Sequence, residues 1–169
     1  MILTGKEIER QIKHGRINIT PFDVNNLQPN SYDLHLDYMK YKELDYIQFE
    51  SKTPIYTEFN IDSDFGILVL IPSRLYLFST IESTHTDHYA PMIEGISSNA
   101  RMGINVHETA GFGDIGFNGK WTLEVKVTVP TPVWHGMRIA QICFHEVMGE
   151  IELYKGRYQF QDKAEGSKS

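Results

Sequence analysis

Between Gly95 and Glu124 the chain gathers side chains able to bind anions and move protons. Ser97 and Ser98 bring hydroxyls, Arg101 a fixed positive charge, and Asp114 and Glu124 carboxylates. Glycines at 103, 111, 113, 116 and 119 let the backbone turn sharply and approach a ligand closely. Glu124 ends the apolar, strand-like run Trp121-Thr122-Leu123-Glu124, so its carboxylate is either exposed on a sheet surface or held there for a purpose. Ordinary structural readings stand beside the chemical ones. Ser97 and Ser98 fit a turn, Arg101 a surface ion pair, Asp114 a β-turn, Phe117 core packing and Gln141 a buried structural amide.

The elements that must position these groups are mostly short strands. Residues 4–15 read as a helix, with Thr4 as N-cap, Glu7 completing a capping box, Ile8 and Ile12 facing inward and Gly15 as C-cap. Strand patterns follow at 16–19, 31–36, 66–72, 74–81, 90–93, 105–108, 120–129, 132–134 and 138–146. Strands at this spacing, broken by Pro and Gly, predict a mainly β barrel or sandwich with few helices. No internal repeat or linker divides the chain. Residues 1–154 read as one domain and the polar stretch 155–169 as a mobile tail. The acidic stretch 58–64 reads as a solvated loop, Trp134 as core or subunit interface, and His85, His88, His135 and His145 as surface or loop residues.

Composition narrows the function classes. The 169 residues are 41% hydrophobic, enough for a core, and carry a net charge of -6 with no polybasic run. A nucleic-acid polymer is excluded as a partner on that ground, whereas a nucleotide needs only a few well-placed cations. The single cysteine, Cys143, lies in an apolar run and reads as a buried thiol in a reducing compartment. The N-terminus lacks a signal-peptide apolar region, and no apolar stretch approaches a membrane span, so a soluble cytoplasmic protein without membrane partners is expected.

An ordered set of motifs carries a resemblance. The opening MILTGKEI, Ser31-Tyr32-Asp33-Leu34, the turn from Gly95 to Arg101, and His107-Glu-Thr-Ala-Gly-Phe-Gly-Asp114 followed by Gly116-Phe-Asn-Gly119 form its first part. Thr122-Leu123-Glu124, Gly136-Met-Arg-Ile-Ala-Gln141 and Tyr158-Gln-Phe-Gln161 complete it. In this order, over nearly the whole length, the chain resembles the dCTP deaminase family of the dUTPase superfamily. The resemblance implies a distorted β-barrel, jelly-roll-like fold with an N-terminal helix, assembled as a homotrimer. It implies deamination of dCTP to dUTP and ammonia, supplying deoxyuridine nucleotides for dTMP synthesis. Mg²⁺ would be bound through the triphosphate, and dTTP is a candidate inhibitor. Zinc is not expected, because zinc deaminases take ligands from H-x-E and P-C-x-x-C motifs and this chain has one cysteine.

The resemblance also assigns roles. Glu124 is the general base and then the proton shuttle, Ser97 and the backbone at Ala110 hold the water, and Arg101 stabilises developing charge. Ile96, Ser98, Asn99 and Ala100 belong to the triphosphate loop, Asp114 lies near the 3′-hydroxyl and Phe117 against the sugar. Trp121 to Glu124, including Thr122 and Leu123, present main-chain groups to the cytosine. Gln141 is a candidate nucleotide contact, and Tyr154, Arg157 and Gln161 of the tail close over the phosphates. No protein metal ligand is implied. Ile96 departs from the family, which places Arg or Lys before the two serines, and the spacer between Tyr154 and Arg157 is short. Thr109-Ala110-Gly111-Phe112 is similar to members that go on to dUMP and diphosphate, which makes a bifunctional enzyme the alternative. A non-catalytic nucleotide-binding trimer is the remaining one, supported by Ile96 and the short tail. A plain dUTPase is disfavoured, because the tail lacks a glycine-rich motif.

Overall fold

The computed structural model describes residues 1–48, 53–60 and 66–168. Helix α1 spans Gly5–Lys13. Thr4 caps it by accepting from the Glu7 N–H at 3.3 Å, which is half of the expected capping box. The Glu7 carboxylate does not return to Thr4. It accepts from Arg10 and Gln11 instead. His14 is the C-cap, and Gly15 follows at φ 70°, a backbone angle that favours glycine.

Among the described residues ten strands follow: β1 (Asn18–Thr20), β2 (Tyr32–Gln48), β3 (Thr53–Asn60), β4 (Leu68–Leu70), β5 (Tyr76–His85), β6 (Ala90–Gly95), β7 (Ile104–Asn105), β8 (Asn118–Val127), β9 (Thr131–Val133) and β10 (Arg138–His145). A five-residue helix, α2 (Ser97–Arg101), separates β6 from β7. The main sheet runs β6-β10-β2-β5-β8-β7, with β1 on β5 and β3 on β2, and every pairing is antiparallel. Strands β4 and β9 form a small second sheet. The result is a nearly closed, mainly β barrel with an N-terminal helix, as the motif set implied. No helix among the described residues is long and apolar enough to cross a membrane.

Alternation within the strands builds the core. Tyr32, Leu34, Leu36 and Tyr38 of β2 point inward, with Phe78, Leu123, Val125, Ile139, Ile142 and Phe144 from the neighbouring strands and Ile8 from α1. Side chains of this size contribute about 1.5–3 kcal/mol each when fully buried.

Several expected elements shift. The pattern at 31–36 continues to Gln48 as the longest strand, and the sequence 53–60, absent from the expectation, pairs with it. Part of the expected acidic loop is therefore strand: Glu58 lies in β3 and pairs with Lys42, while residues 61–64 of that loop lie outside the described residues. The expected strand at 105–108 stops at Asn105, and His107–Ala110 form an irregular loop. The expected turn before Arg101 is the helix α2. Cys143 is half-buried rather than buried, since it alternates with the inward-facing Ile142 and Phe144 on β10; that partial burial pushes its thiol above the usual range.

Candidate functional site

Strand β8 carries the central carboxylate. Leu123 and Val125 face the core, so Glu124, between them, projects to the other side. There it lines a cleft of about 400 Å³. Leu77 of β5, Tyr56 of β3 and the segment Phe112–Asp114 wall the cleft, and the chain from Tyr154 to Ser167 crosses it. The Glu124 Oε2 accepts from the main-chain N–H of Glu108 at 3.1 Å.

Aromatic packing shapes one end. Phe117 lies 4.6 Å from Trp121 and 6.0 Å from Tyr154, centroid to centroid. A register shift in β5 between Ser79 and Ser83 brings the Thr80 hydroxyl to the Trp121 N–H at 3.0 Å, and the indole Nε1 donates to Thr84 at 2.8 Å. A Cβ on Gly113 would sit 2.3 Å from the Trp121 ring, so only glycine permits this loop to pass so close.

The polar composition of the C-terminal stretch suggested a mobile tail, but its polar groups are spent on main-chain pairing. Tyr154 N–H donates to Ile115 O at 2.7 Å, Phe160 N–H to Asn118 O at 2.7 Å and Lys120 N–H to Gln161 O at 2.9 Å. The Gln161 amide donates to Lys120 O at 2.6 Å and to the Thr122 hydroxyl at 3.2 Å, and Glu165 N–H donates to that hydroxyl at 3.1 Å. The tail thus extends the outer edge of β8, and its own Ala164 is buried. Farther along, Glu124 N–H donates to Val106 O at 3.0 Å on the same edge. Antiparallel alternation points the main-chain groups of Thr122 to this edge too, between the two anchors.

The cleft is acidic. Asp114, Glu124 and Glu165 line it, and among the described residues no lysine or arginine does. Of the expected site residues, one chain brings together Asp114, Phe117, Thr122, Glu124, Tyr154 and Gln161 there. It does not bring Ser97, Ser98, Ala100 or Arg101, which lie exposed on α2 beyond the end of β6. Ala110 is exposed on the loop before Gly111, outside the cleft lining but two residues from Glu108, whose N–H holds Glu124. Ile96 is the N-cap of α2 and makes no side-chain cap bond.

Four expected site residues are engaged elsewhere. Asn99 is buried, and its amide donates to Arg138 O at 2.8 Å. The Gln141 amide donates to Gly95 O at 2.9 Å and accepts from Ser31 at 2.6 Å, the structural alternative weighed for it. Leu123 buries its side chain in the core and pairs with Phe78 of β5, so its main-chain groups face that strand and not the outer edge. Arg157 is exposed and bonds the Lys168 carbonyl within the tail.

The sequence reading missed Tyr56, Leu77, Tyr158 and Glu165 as cleft residues. Tyr56 lies on a strand whose pattern was not recognised. Tyr158 belongs to the Tyr158–Gln161 motif, in which the resemblance assigns a role to Gln161 alone. Trp134 is 48% exposed and so is not a core residue. Among the described residues no group of three or more His, Cys, Asp or Glu has the arrangement of a metal site.

Residues 2–147 match the protein family described as dCTP deaminase-like. The chain is 48% identical over 162 residues to a protein of Leptospira biflexa named "dCTP deaminase, dUMP-forming", covering 94% of this chain and 90% of that one. It is 46% identical over 162 residues to a protein of the same name from Clostridium beijerinckii, covering 94% and 91%. Among solved structures it resembles the crystal structure of 2′-deoxycytidine 5′-triphosphate deaminase from Agrobacterium tumefaciens, with a TM-score of 0.68 at 21% identity. That match covers 86% of this chain and 48% of the other, so this chain spans about half of the length of the solved one.

Proposed function

Because this chain belongs to the dCTP deaminase-like family, we propose that it deaminates dCTP and hydrolyses the product to dUMP and diphosphate. The observation that carries the reading is Glu124, a carboxylate lining a cleft of about 400 Å³ together with Phe117, and held there by the main-chain N–H of Glu108. The name shared by the relatives at 46% and 48% identity favours dUMP over dUTP as the released product, and so does the Thr109-Ala110-Gly111-Phe112 segment. Release of dUTP, the first expectation, has less support.

In this mechanism the Glu124 carboxylate takes a proton from water, and the resulting hydroxide adds to C4 of cytosine. Glu124 delivers that proton to N3, where it stays; the carboxylate then takes the proton of the new C4 hydroxyl and passes it to the amine, which leaves as ammonia as the C4 carbonyl forms. Thr122 N–H and C=O meet the edge of the base, and Phe117 lies against the sugar. The substrate is the Mg²⁺ complex of dCTP, whose metal is held by phosphate oxygens and waters. A cleft lined by three carboxylates repels a triphosphate, so the cations must come from elsewhere. We place them on α2 of a neighbouring copy, in a homotrimer whose sites lie between subunits. Ser97 and Arg101 then reach a cleft that their own chain does not bring them to, and the Ala110 carbonyl joins Ser97 in holding the water.

The direct test is incubation with dCTP and Mg²⁺, followed by chromatographic separation of dCTP, dUTP and dUMP. Appearance of dUMP and diphosphate without accumulating dUTP is expected. Accumulating dUTP would return the reading to plain deamination, and unchanged dCTP would overturn it.

Ile96 gives a second expectation. An isoleucine at the cap of α2 offers the phosphates only its backbone. Ile96→Arg is expected to lower the KM for dCTP about tenfold, the factor that a restored contact of roughly 1.4 kcal/mol supplies. For dCMP the change should be much smaller, because the added charge lies beyond the first phosphate. An unchanged or raised KM for dCTP would show that α2 does not face the phosphates.

A further inference from the structure

Glu108 and Lys126 have no part in the chemistry above, yet they converge on its central residue. Glu108 sits in the irregular loop His107–Ala110. Its main-chain N–H donates to Glu124 Oε2 at 3.1 Å, and its own carboxylate accepts from Lys126 Nζ at 2.8 Å. Lys126 stands two residues beyond Glu124 on β8, so both project from the same face. One loop residue therefore spans two consecutive outward positions of the strand, holding the first by its backbone and the second by its side chain.

The anchors on either side show what this span controls. Val106 is fixed to Glu124 N–H, and Gly111 O accepts from Ile93 N–H at 2.7 Å. Between those points, among the described residues, the loop is tied by the two bonds of Glu108 and by a 3.8 Å approach of His107 to Glu94. Ala110, whose carbonyl faces the water in the mechanism above, rides on that segment.

We propose that the Lys126–Glu108 ion pair is a positioning device that locks the 107–110 loop in register, and with it both the Glu124 carboxylate and the Ala110 carbonyl. This rests on the proposed deaminase reading. Neither residue lines the cleft, so neither is a binding group. The pair is partly exposed, at 41% for each side chain, so its own contribution to stability is small, whereas its effect on a reacting geometry is larger.

The test uses Lys126→Met, Lys126→Arg and the swapped pair Glu108→Lys with Lys126→Glu. Lys126→Met is expected to lower kcat for dCTP deamination by about fivefold or more while KM stays within about twofold. Lys126→Arg and the swapped pair should recover most of the rate. Hydrogen exchange supplies a readout independent of turnover: the peptide covering 107–110 should exchange faster in Lys126→Met and return towards wild type in Lys126→Arg. A kcat unchanged by Lys126→Met, a rise in KM alone, or unaltered exchange at 107–110 would overturn the inference. Absence of dCTP turnover in the wild-type protein would instead overturn the functional reading, with the exchange result still deciding whether the pair holds the loop.

Discussion

Glu124→Gln is expected to cut the rate of dCTP deamination by at least about a thousandfold while leaving nucleotide binding within a few-fold of wild type. General acid–base groups commonly contribute 10²–10⁴-fold, and here one carboxylate must serve both as base towards water and as carrier of the proton to the amine. The substitution keeps the shape. A glutamine oxygen still accepts from the Glu108 N–H, Leu123 and Val125 still hold the strand in the core, and the surrounding cleft is unchanged. Binding can be followed through the fluorescence of Trp121, which lines the cleft against Phe117. A Glu124→Gln protein with near-normal turnover would remove Glu124 from the chemistry. Loss of nucleotide binding together with turnover would assign it to recognition instead.

What the sequence disclosed, and what it did not, follows from the physics of each element. Helix α1 was legible because its signals are local: a Thr cap, an acidic third position and a glycine at the end. The inner face of β2 was legible up to Leu36 because it alternates there, but its continuation MKYKELDYIQ mixes charges with aromatics and hid both its own length and its partner β3. Tyr56 was lost with β3. Glu124 was legible because a carboxylate beside Leu123 must face away from the core. Glu165 and Ala164 were not, because a polar segment that pairs through its backbone leaves no periodic trace in its side chains. Asn99 and Gln141 show the converse limit. Buried amides that satisfy distant carbonyls look, in sequence, the same as amides that read a ligand.

A mixture of two inactive proteins, Glu124→Gln and Arg101→Ala, is expected to recover about a quarter of wild-type activity after dissociation and reassembly. Each is inert alone, one lacking the base and the other the cation. In one chain Arg101 is exposed on α2, a short helix after β6, while Glu124 stands in a cleft on β8 that no lysine or arginine lines among the described residues. If a neighbouring copy supplies α2, each site draws its glutamate from one chain and its arginine from another. Random assembly of equal amounts then leaves both intact in about one site of four. If both groups of a site come from the same chain, no mixed trimer contains a whole site and the mixture stays as inert as its parts. Light scattering on the same samples reports the assembly. A stable monomer at the assay concentration, or a reassembled trimer without recovered activity, would separate Arg101 from the cleft and leave its three carboxylates in need of another source of positive charge.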